Sequence, residues 1–268
     1  MEKEAEGKRE KHQNQQQEVY EEDEAFVFEI VTASNFKETG EAWARINSTA
    51  EPAALHLGLT YEQHLAAWPE AFAAIPKQGL SLVARDKQSG RLVAFRLAVD
   101  LHSESGLQHW LVSTLLLGGM AKGFRLAHML CPETLKPAAA MPWLINLTVS
   151  KWREATAQNN NARSALGPSQ VLHMYGVGVE DGFTGKGLAT RITGLTERLA
   201  REKGFRLSLV ACSNAISAHV FANKLGYAER ARVCYDELVF NGEHVFGGMM
   251  NRRKDGQERY MIVMDKEL

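Results

Sequence analysis

Cysteine is scarce in this 268-residue sequence, which contains only Cys131, Cys212 and Cys234. Three widely separated thiols supply neither a disulfide framework nor a paired-cysteine metal site, so we expect free thiols and a reducing, cytoplasmic compartment. The histidines also lack the spacing of metal ligands, and no metal is predicted.

Long hydrophobic runs and an excess of one charge are missing as well. The longest uncharged stretch, residues 106–121, is too short to cross a membrane and is interrupted by Gln108 and His109. The formal net charge is −1, which excludes a strongly basic nucleic-acid-binding protein. We therefore expect a monomer that acts on a small molecule, with no membrane or nucleic-acid partner.

The charge that is present is unevenly distributed. Residues 1–24 contain nine Asp or Glu residues and no apolar periodicity, which predicts a disordered tail. Residues 25–268 then carry a net charge of +4, which suits an anionic ligand but by itself is more typical of a solvated surface. They are long and apolar enough for a single domain. A long insertion is expected at about residues 102–168, with possible helices near 107–130 and 142–157.

The first half of the folded region predicts strands and helices in alternation. Residues 26–31 have strand character, and helical patterns follow near residues 36–46 and 61–72. Residues 80–85 and 91–98 flank a short loop that contains glycine, which is typical of an antiparallel hairpin.

The C-terminal hundred residues predict a βαβα unit followed by two closing strands. A strand over residues 171–179 precedes an amphipathic helix over residues 188–199, and a second strand over residues 205–211 precedes a second helix. This order implies a right-handed crossover between parallel strands. Residues 233–240 and 260–264 are expected to close the sheet as antiparallel strands.

Glycines mark the connection inside this unit as a candidate anion site. The loop of residues 180–189, EDGFTGKGLA, lies at a predicted helix N-terminus, where backbone amides can hold a pyrophosphate. It has neither the Walker lysine nor the dinucleotide glycine spacing. Gly176 and Gly178 in the preceding strand indicate a bulge or a close backbone approach, where a thin ligand could enter. An ordinary glycine-rich turn is the alternative.

These motifs resemble the Gcn5-related N-acetyltransferase (GNAT) superfamily. Its acetyl-CoA loop, Arg/Gln-x-x-Gly-x-Gly/Ala, is similar to TGKGLA at residues 184–189, and its second signature, a helix ending in Lys-Leu-Gly-aromatic, is similar to residues 214–227. The resemblance implies an α/β fold with a mixed, mostly antiparallel twisted sheet, a central parallel pair splayed at a bulge, and helices on both faces.

The resemblance also implies acetyl-CoA as co-substrate. The positions that match the family's acetyl-CoA contacts are Val177, Gly178, Val179, Thr184, Gly185, Lys186, Gly187, Leu188, Ala189 and Asn214. Thr184 stands where the family has a long Arg or Gln, which removes side-chain donors and leaves the backbone amides in place.

Shorter matches resemble the invertebrate arylalkylamine (dopamine) N-acetyltransferase-like group. They are the Ala-Glu-Pro step at residues 50–52, residues 57–59 and 79–86, the Cys-Ser pair at residues 212–213, and residues 233–236. In that group the glutamate of the Glu-Pro step is the general base, which implies this role for Glu51. A carboxylate suits the chemistry, because the substrate amine must lose a proton before it attacks. A surface glutamate before a helix is the alternative.

The same group has two catalytic serines four residues apart in its second motif helix, which implies Ser213 and Ser217. Counting back from Gly226 places the two positions at Asn214 and Ala218 instead, and the serines would then be helix-capping residues. Both registers remain open at this point.

Two further side chains are catalytic candidates by resemblance. His173 matches one of the paired strand histidines of the vertebrate relatives and is a reserve general base. Many family members protonate the leaving thiolate with a helix tyrosine, but Phe221 and Ala222 stand in that neighbourhood, so Tyr235 on the next strand is the substitute. Simple packing is the alternative for both side chains.

The resemblance implies transfer of acetyl from acetyl-CoA to a primary amine, with an arylalkylamine as the expected acceptor. A polyamine, an amino acid or a protein lysine is an alternative acceptor. A degenerate acyl-CoA-binding module without catalysis is a third hypothesis, because Thr184 and the missing helix tyrosine depart from the family pattern.

Overall fold

The computed structural model describes residues 19–102, 132–158, 162–249 and 259–268. The strands in these residues are β1 (Val19–Glu22), β2 (Phe26–Ile30), β3 (Leu82–Asp86), β4 (Leu92–Asp100), β5 (Val171–Val179), β6 (Leu207–Cys212), β7 (Ala228–Cys234) and β8 (Tyr260–Glu267). The α-helices are α1 (Phe36–Ala50), α2 (Pro52–His56), α3 (Tyr61–Ala71), α4 (Ile75–Gln78), α5 (Pro132–Gln158), α6 (Leu188–Glu202) and α7 (Ala215–Asn223).

The described strands form one eight-stranded sheet in the order β1-β2-β3-β4-β5-β6-β8-β7. Strands β5 and β6 are parallel, and every other neighbouring pair is antiparallel. This confirms the predicted hairpin and the predicted mixed sheet with a central parallel pair.

Helices cover both faces of this sheet, as predicted. On one face, α6 buries its apolar stripe against β2, β3 and β4, and α7 packs beside it through Ala218 and Phe221. On the other face, α1 and α3 pack against β3 and β4, while α5 covers the β6-β8-β7 side. The stripe of α6 consists of Leu188, Ile192, Leu195 and Leu199, whose spacing places them on one side of a helix.

Strand β1 lies inside the segment predicted to be a disordered tail. It pairs with β2, and the Tyr20 hydroxyl donates to the carboxylate of Glu202 on α6 at 3.1 Å. Glu21 and Asp23 both form ion pairs with Arg191 on the same helix. The acidic residues at the end of the predicted tail are therefore held by arginines of α6. Residues 1–18 lie outside the described residues.

Other boundaries also differ from the sequence expectations. Helix α5 begins well before residue 142, and the helix predicted near residues 107–130 lies outside the described residues. Strand β7 spans Ala228–Cys234 rather than residues 233–240, because the apolar residues after it turn into a separate core cluster that includes Tyr235 and Leu238. Strand β7 is the edge strand of the sheet, and all of its side chains except Val233 are exposed or half-buried.

The central feature of the sheet is the point where β5 leaves β6. Parallel pairing covers only residues 171–174 of β5, ending at Met174 opposite Val210, although β5 continues to Val179. On the β4 side, the register shifts so that Tyr175 is an extra residue between the pairs formed by Met174 and Gly176. This is a β-bulge, and it opens a cleft between residues 175–179 of β5 and the end of β6.

The strand has no room for a side chain at Gly178. A Cβ at this position would overlap the Phe95 ring and lie 2.8 Å from Ile46 Cγ2 of α1. At Gly176 the nearest atom, Phe95 Cε2, would be 3.7 Å away, which is ordinary contact. Gly178 therefore allows α1 and β4 to pack tightly against β5.

We expect Gly178→Ala to destabilise the protein by about 1–3 kcal/mol, the usual cost of overpacking a core. Gly176→Ala is the matched control on the same strand, and its free energy of unfolding should change little. Urea unfolding of the two variants measures the difference. Equal stability of the two variants would show that Phe95 and Ile46 can move aside.

Candidate active site

The N-terminus of α6 presents a row of free backbone amides. Gly187, which precedes the helix, has a φ of 76°, and Gly185 has a φ of 75°. Within the described chain, the amides of residues 185–190 donate to no acceptor, and no side chain caps the helix. A Cβ added at either glycine would meet no atom within 4 Å. These open amides and the positive end of the helix dipole form an anion site, which supports the predicted pyrophosphate position.

The side chains of Thr184 and Lys186 make contacts within the loop itself. The Thr184 hydroxyl donates to the Asp181 carbonyl at 2.9 Å, so it closes the turn before the helix. Lys186 Nζ lies 5.1 Å from the centre of the Phe183 ring and adds positive charge to the loop. The loss of a long side chain at Thr184 therefore leaves the amide site intact.

The other predicted acetyl-CoA contacts lie along the edge of the cleft. Val177 and Val179 pack their side chains between the sheet and α6, and Leu188 is buried in the same cluster. Contacts of these three residues with acetyl-CoA would therefore have to come from the backbone, as would those of Ala189 in the first turn of α6. An unpaired strand edge presents N–H and C=O groups to a ligand that can pair with it.

Glu51 and Ser213 meet although they are far apart in the sequence. Glu51 connects α1 to α2, and its Oε2 accepts a hydrogen bond from Ser213 Oγ at 3.0 Å. The Ala53 amide donates to Glu51 Oε1 at 3.3 Å. Burial raises the pKa of Glu51, and these two hydrogen bonds partly oppose that shift. The result is a carboxylate with more affinity for a proton than a surface glutamate has.

His173, the reserve base, lies in a less suitable environment. It is buried in β5, and its ring lies 5.7 Å from that of Tyr175. Burial, and then the nearby charge of Arg96, lower the pKa of His173 to about 4. A histidine with this pKa is a weak proton acceptor at neutral pH. The lowered pKa of His173 and the raised pKa of Glu51 therefore favour Glu51 as the candidate base.

Ser217 and Asn214 form the N-terminal cap of α7. The Ser217 amide donates to Asn214 Oδ1 at 2.8 Å, and Ser217 Oγ donates to the Asn214 carbonyl at 2.9 Å. Ser217 thus occupies the structural position that the alternative register implied, whereas Ser213 faces Glu51. The side-chain oxygen of Asn214 caps α7, and its predicted contact with acetyl-CoA stays a prediction.

Tyr235 is fully buried rather than open to the cleft. Its hydroxyl donates to the Ser213 carbonyl at 3.1 Å, and burial raises its pKa well above the usual value. The hydroxyl proton is therefore committed to the backbone of Ser213. This arrangement supports a role in positioning Ser213 and gives no support to proton donation to a thiolate.

Arg96 is a functional candidate that the sequence analysis did not single out. It is 1% exposed at the centre of β4, in the apolar run LVAFRLAV, and its side chain reaches Met174 beside the bulge. A charged residue in the middle of an apolar strand is the signal that could have identified it.

The described residues contain no group of three or more His, Cys, Asp or Glu side chains that could hold a metal ion. None of the helices among them has both the length and the apolar content needed to cross a membrane. Cys212 and Cys234 are free thiols, and Cys131 lies outside the described residues.

Comparison with known proteins gives a family match and several structural neighbours. Residues 151–227 match the model of the Acetyltransferase (GNAT) family. A mosquito arylalkylamine N-acetyltransferase like 5b has a TM-score of 0.65 at 12% identity, covering 91% of this chain and 100% of that one. An agmatine N-acetyltransferase mutant in its apo form has a TM-score of 0.61 at 16% identity, covering 91% and 100%.

Arylalkylamine N-acetyltransferase 2 from Aedes aegypti has a TM-score of 0.57 at 19% identity, covering 90% of this chain and 98% of that one. No curated protein sequence matches the chain. The neighbours share the fold, and the family match covers the βαβα unit that carries the anion site. The family match over residues 151–227 supports an acyl-CoA-dependent N-acetyltransferase, and the neighbours show that the chain shares the fold over 91% of its length.

We expect acetyl-CoA to bind with a Kd between roughly micromolar and sub-millimolar, a usual range for enzyme substrates, and Gly187→Glu to abolish this binding. The new side chain would strain a positive φ and place a negative charge among the amides that hold the pyrophosphate. Isothermal titration calorimetry measures both affinities.

Gly242→Glu is the matched control for this variant. Gly242 also has a positive φ, 85°, and open space around its would-be Cβ, but it lies in the turn after β7. Its acetyl-CoA affinity should remain that of the wild type. Equal binding by the Gly187 variant would contradict the assignment of the loop.

Proposed function

We propose that this protein transfers the acetyl group of acetyl-CoA to the primary amine of an arylalkylamine, by direct attack of the amine on the thioester. The observation that carries this proposal is the hydrogen bond between Glu51 and Ser213, at 3.0 Å, where β6 ends beside the cleft. The proton acceptor then lies just after the end of β6, across the opening from the second half of β5, while the α6 amides would supply the anion site.

The proposed chemistry needs few groups from the protein. The amine arrives as a cation, and Glu51 accepts the proton that it must lose, either directly or through water. Ser213 and the Ala53 amide orient the carboxylate, and Tyr235 holds the backbone of Ser213. Positioning of amine and thioester supplies the rest of the rate enhancement, and no covalent intermediate on the protein is required.

Glu51→Gln should lower kcat by roughly 10²-fold at neutral pH, the usual scale for loss of a general base, with acetyl-CoA affinity nearly unchanged. In the wild type, the working form is the carboxylate, so activity falls as the pH drops through the raised pKa of Glu51. The variant should lose this dependence, and its defect should shrink as the pH rises towards the pKa of the amine.

Steady-state kinetics over a range of pH values test this prediction, and Ser217→Ala is the control. Its hydroxyl only closes the first turn of α7, so turnover should stay near that of the wild type. A large, pH-sensitive loss in His173→Ala together with normal turnover in Glu51→Gln would move the role of the base to His173.

Aromatic side chains beside the bulge support an aromatic acceptor. Tyr175 lies edge-on to Phe72, with 5.0 Å between ring centres, and Phe72 in turn contacts Trp43 at 5.0 Å. Tyr175 and Trp43 are partly exposed, so this group of rings is not closed to a ligand. Burial of an aryl ring against such a surface contributes about 2 kcal/mol or more to binding.

A polyamine-like acceptor is the second candidate, because one structural neighbour is an agmatine N-acetyltransferase and another is a polyamine N-acetyltransferase from Drosophila melanogaster. An amino acid or a protein lysine would need the same base. A catalytically degenerate module stays the third candidate, because Glu51 also caps the N-terminus of α2 through the Ala53 amide and could be retained for that role alone.

A comparison of acceptors distinguishes these candidates. With acetyl-CoA as donor, tryptamine, tyramine and dopamine should give higher kcat/KM values than agmatine, spermidine or a lysine peptide. A higher value for any of the latter three would replace the proposed acceptor class and leave the acetyltransferase assignment in place. Acetyl-CoA binding without turnover of any of these amines would favour the degenerate module.

A further inference from the structure

Arg96 is a buried cation without a matching anion. It is 1% exposed, and it forms no ion pair within the described part of the chain. Its Nε donates to Met174 Sδ at 2.8 Å, which is a weak acceptor, and its Nη2 is buried with no hydrogen-bond partner there. Burial of an unpaired guanidinium is strongly unfavourable, so an anion that met this group during the reaction would be strongly stabilised.

The guanidinium lies at the base of the cleft. Arg96 is paired across the sheet with Val177, in the part of β5 that no longer pairs with β6. Its contact residue Met174 is the last residue of β5 that still pairs with β6. The guanidinium carbon lies 5.3 Å from the centre of the Phe221 ring on α7. The group therefore stands where β5, β6 and α7 diverge.

The same place is where the reacting end of the donor is expected. A pantetheine arm that starts at the α6 amides and follows the unpaired edge of β5 from Val179 towards Tyr175 ends at the bulge. Met174, which accepts the hydrogen bond from Arg96 Nε, immediately precedes the bulge residue. The amine side of the reaction belongs to Glu51, which joins α1 to α2 on the opposite face of the sheet.

Acetyl transfer creates an anion at this position. The amine nitrogen bonds to the acetyl carbon, the carbon–sulfur bond breaks, and its electron pair remains on sulfur as the thiolate of CoA. Helix α7 contains no tyrosine that could donate a proton to this sulfur. The hydroxyl of Tyr235 is already committed to the Ser213 carbonyl.

We propose that Arg96 stabilises the leaving thiolate of CoA through a charge-assisted hydrogen bond from Nη2, in place of a proton donor. This proposal rests on the proposed N-acetyltransferase function. The ammonium group loses one proton by way of Glu51 to solvent before it attacks, the second proton passes from nitrogen to Glu51 as the amide forms, and sulfur remains anionic beside the guanidinium until CoA takes up a proton from solvent on release. Arg96 itself neither gains nor loses a proton, so the step balances without a further acid.

None of the charged and titratable groups described around Arg96 supplies an anion that would neutralise its guanidinium. Burial lowers the pKa of Arg96 to about 10, so it stays positively charged at neutral pH. Burial also raises the pKa of Cys212 on β6 to about 12 and that of Tyr227 above its usual value, so both remain neutral. Glu197 on α6 is already paired with Lys266 at 2.6 Å, and His173 is neutral at this pH.

The test is the acidity of the CoA thiol in the binary complex. Ultraviolet absorbance of the thiolate is followed against pH for the protein with CoA, and the same titration with desulfo-CoA is subtracted to remove the protein's own groups. In the wild type, the thiol of bound CoA should be roughly tenfold or more stronger as an acid than that of free CoA, a usual effect of an adjacent cation. In Arg96→Met this shift should be lost, and in Arg96→Lys it should be partly retained.

Kinetics and binding give the second readout. Arg96→Met should lower kcat by roughly 10- to 100-fold, while the Kd for desulfo-CoA, which has no sulfur to stabilise, stays within about twofold of the wild type. Arg153→Met, an exposed position on α5, is the control for removal of an arginine and should change neither quantity. Thermal unfolding confirms that each variant is folded.

The wild-type titration decides the proposal even if Arg96→Met does not fold. A bound thiol as weak as, or weaker than, that of free CoA overturns it, and so does an unchanged acidity shift in a folded Arg96→Met. A wild type that binds no CoA would refute the proposed function itself. Turnover of amines with no change in thiol acidity would refute only the role of Arg96.

Discussion

The separation of β5 from β6 after Met174 is the constraint on which the site depends. One extra residue, Tyr175, shifts the register with β4, and the second half of β5 then has a partner on one side only. Strand edges left unpaired inside a fold need another source of hydrogen bonds. The tight packing of Phe95 over Gly178 holds the strand in this position from the other side, so the cleft is part of the fold and does not need a ligand to open it.

The separation also distributes charge in a way that suits amide formation from a thioester. On the face of the sheet covered by α6 and α7 lie the free amides at residues 185–190 and the guanidinium of Arg96, both of which favour anions. On the other face lies Glu51, whose raised pKa favours acceptance of a proton. In the proposed reaction, negative charge on the donor and the proton that leaves the amine would thus be stabilised on opposite sides of the same opening.

Local patterns in the sequence predicted the framework of this site but not its long-range pairs. The glycine loop and the apolar stripe of α6 depend on neighbouring residues, so the βαβα unit and its anion site could be predicted. The contact of Glu51 with Ser213 joins residues separated by 162 positions, and it was not predicted, although the resemblance implied a catalytic role for each residue. The sequence analysis predicted disorder where β1 forms. This strand is stabilised by pairing with β2 and by ion pairs with arginines of α6, and such long-range contacts cannot be recognised from the local composition.

Thr184 can replace the long Arg or Gln of the family pattern without disrupting the loop, because the loop conformation depends on its glycines. The anion contact is made by backbone amides, which depend on the positive φ angles of Gly185 and Gly187 and not on any side chain at position 184. Thr184 instead fastens the preceding turn through the Asp181 carbonyl, which holds the amides in place before a ligand arrives. Because Arg191 in the second turn of α6 is occupied by Glu21 and Asp23, charge near the loop is partly neutralised. In the proposed site, recognition of a pyrophosphate would therefore depend more on the geometry of the amides than on free arginines.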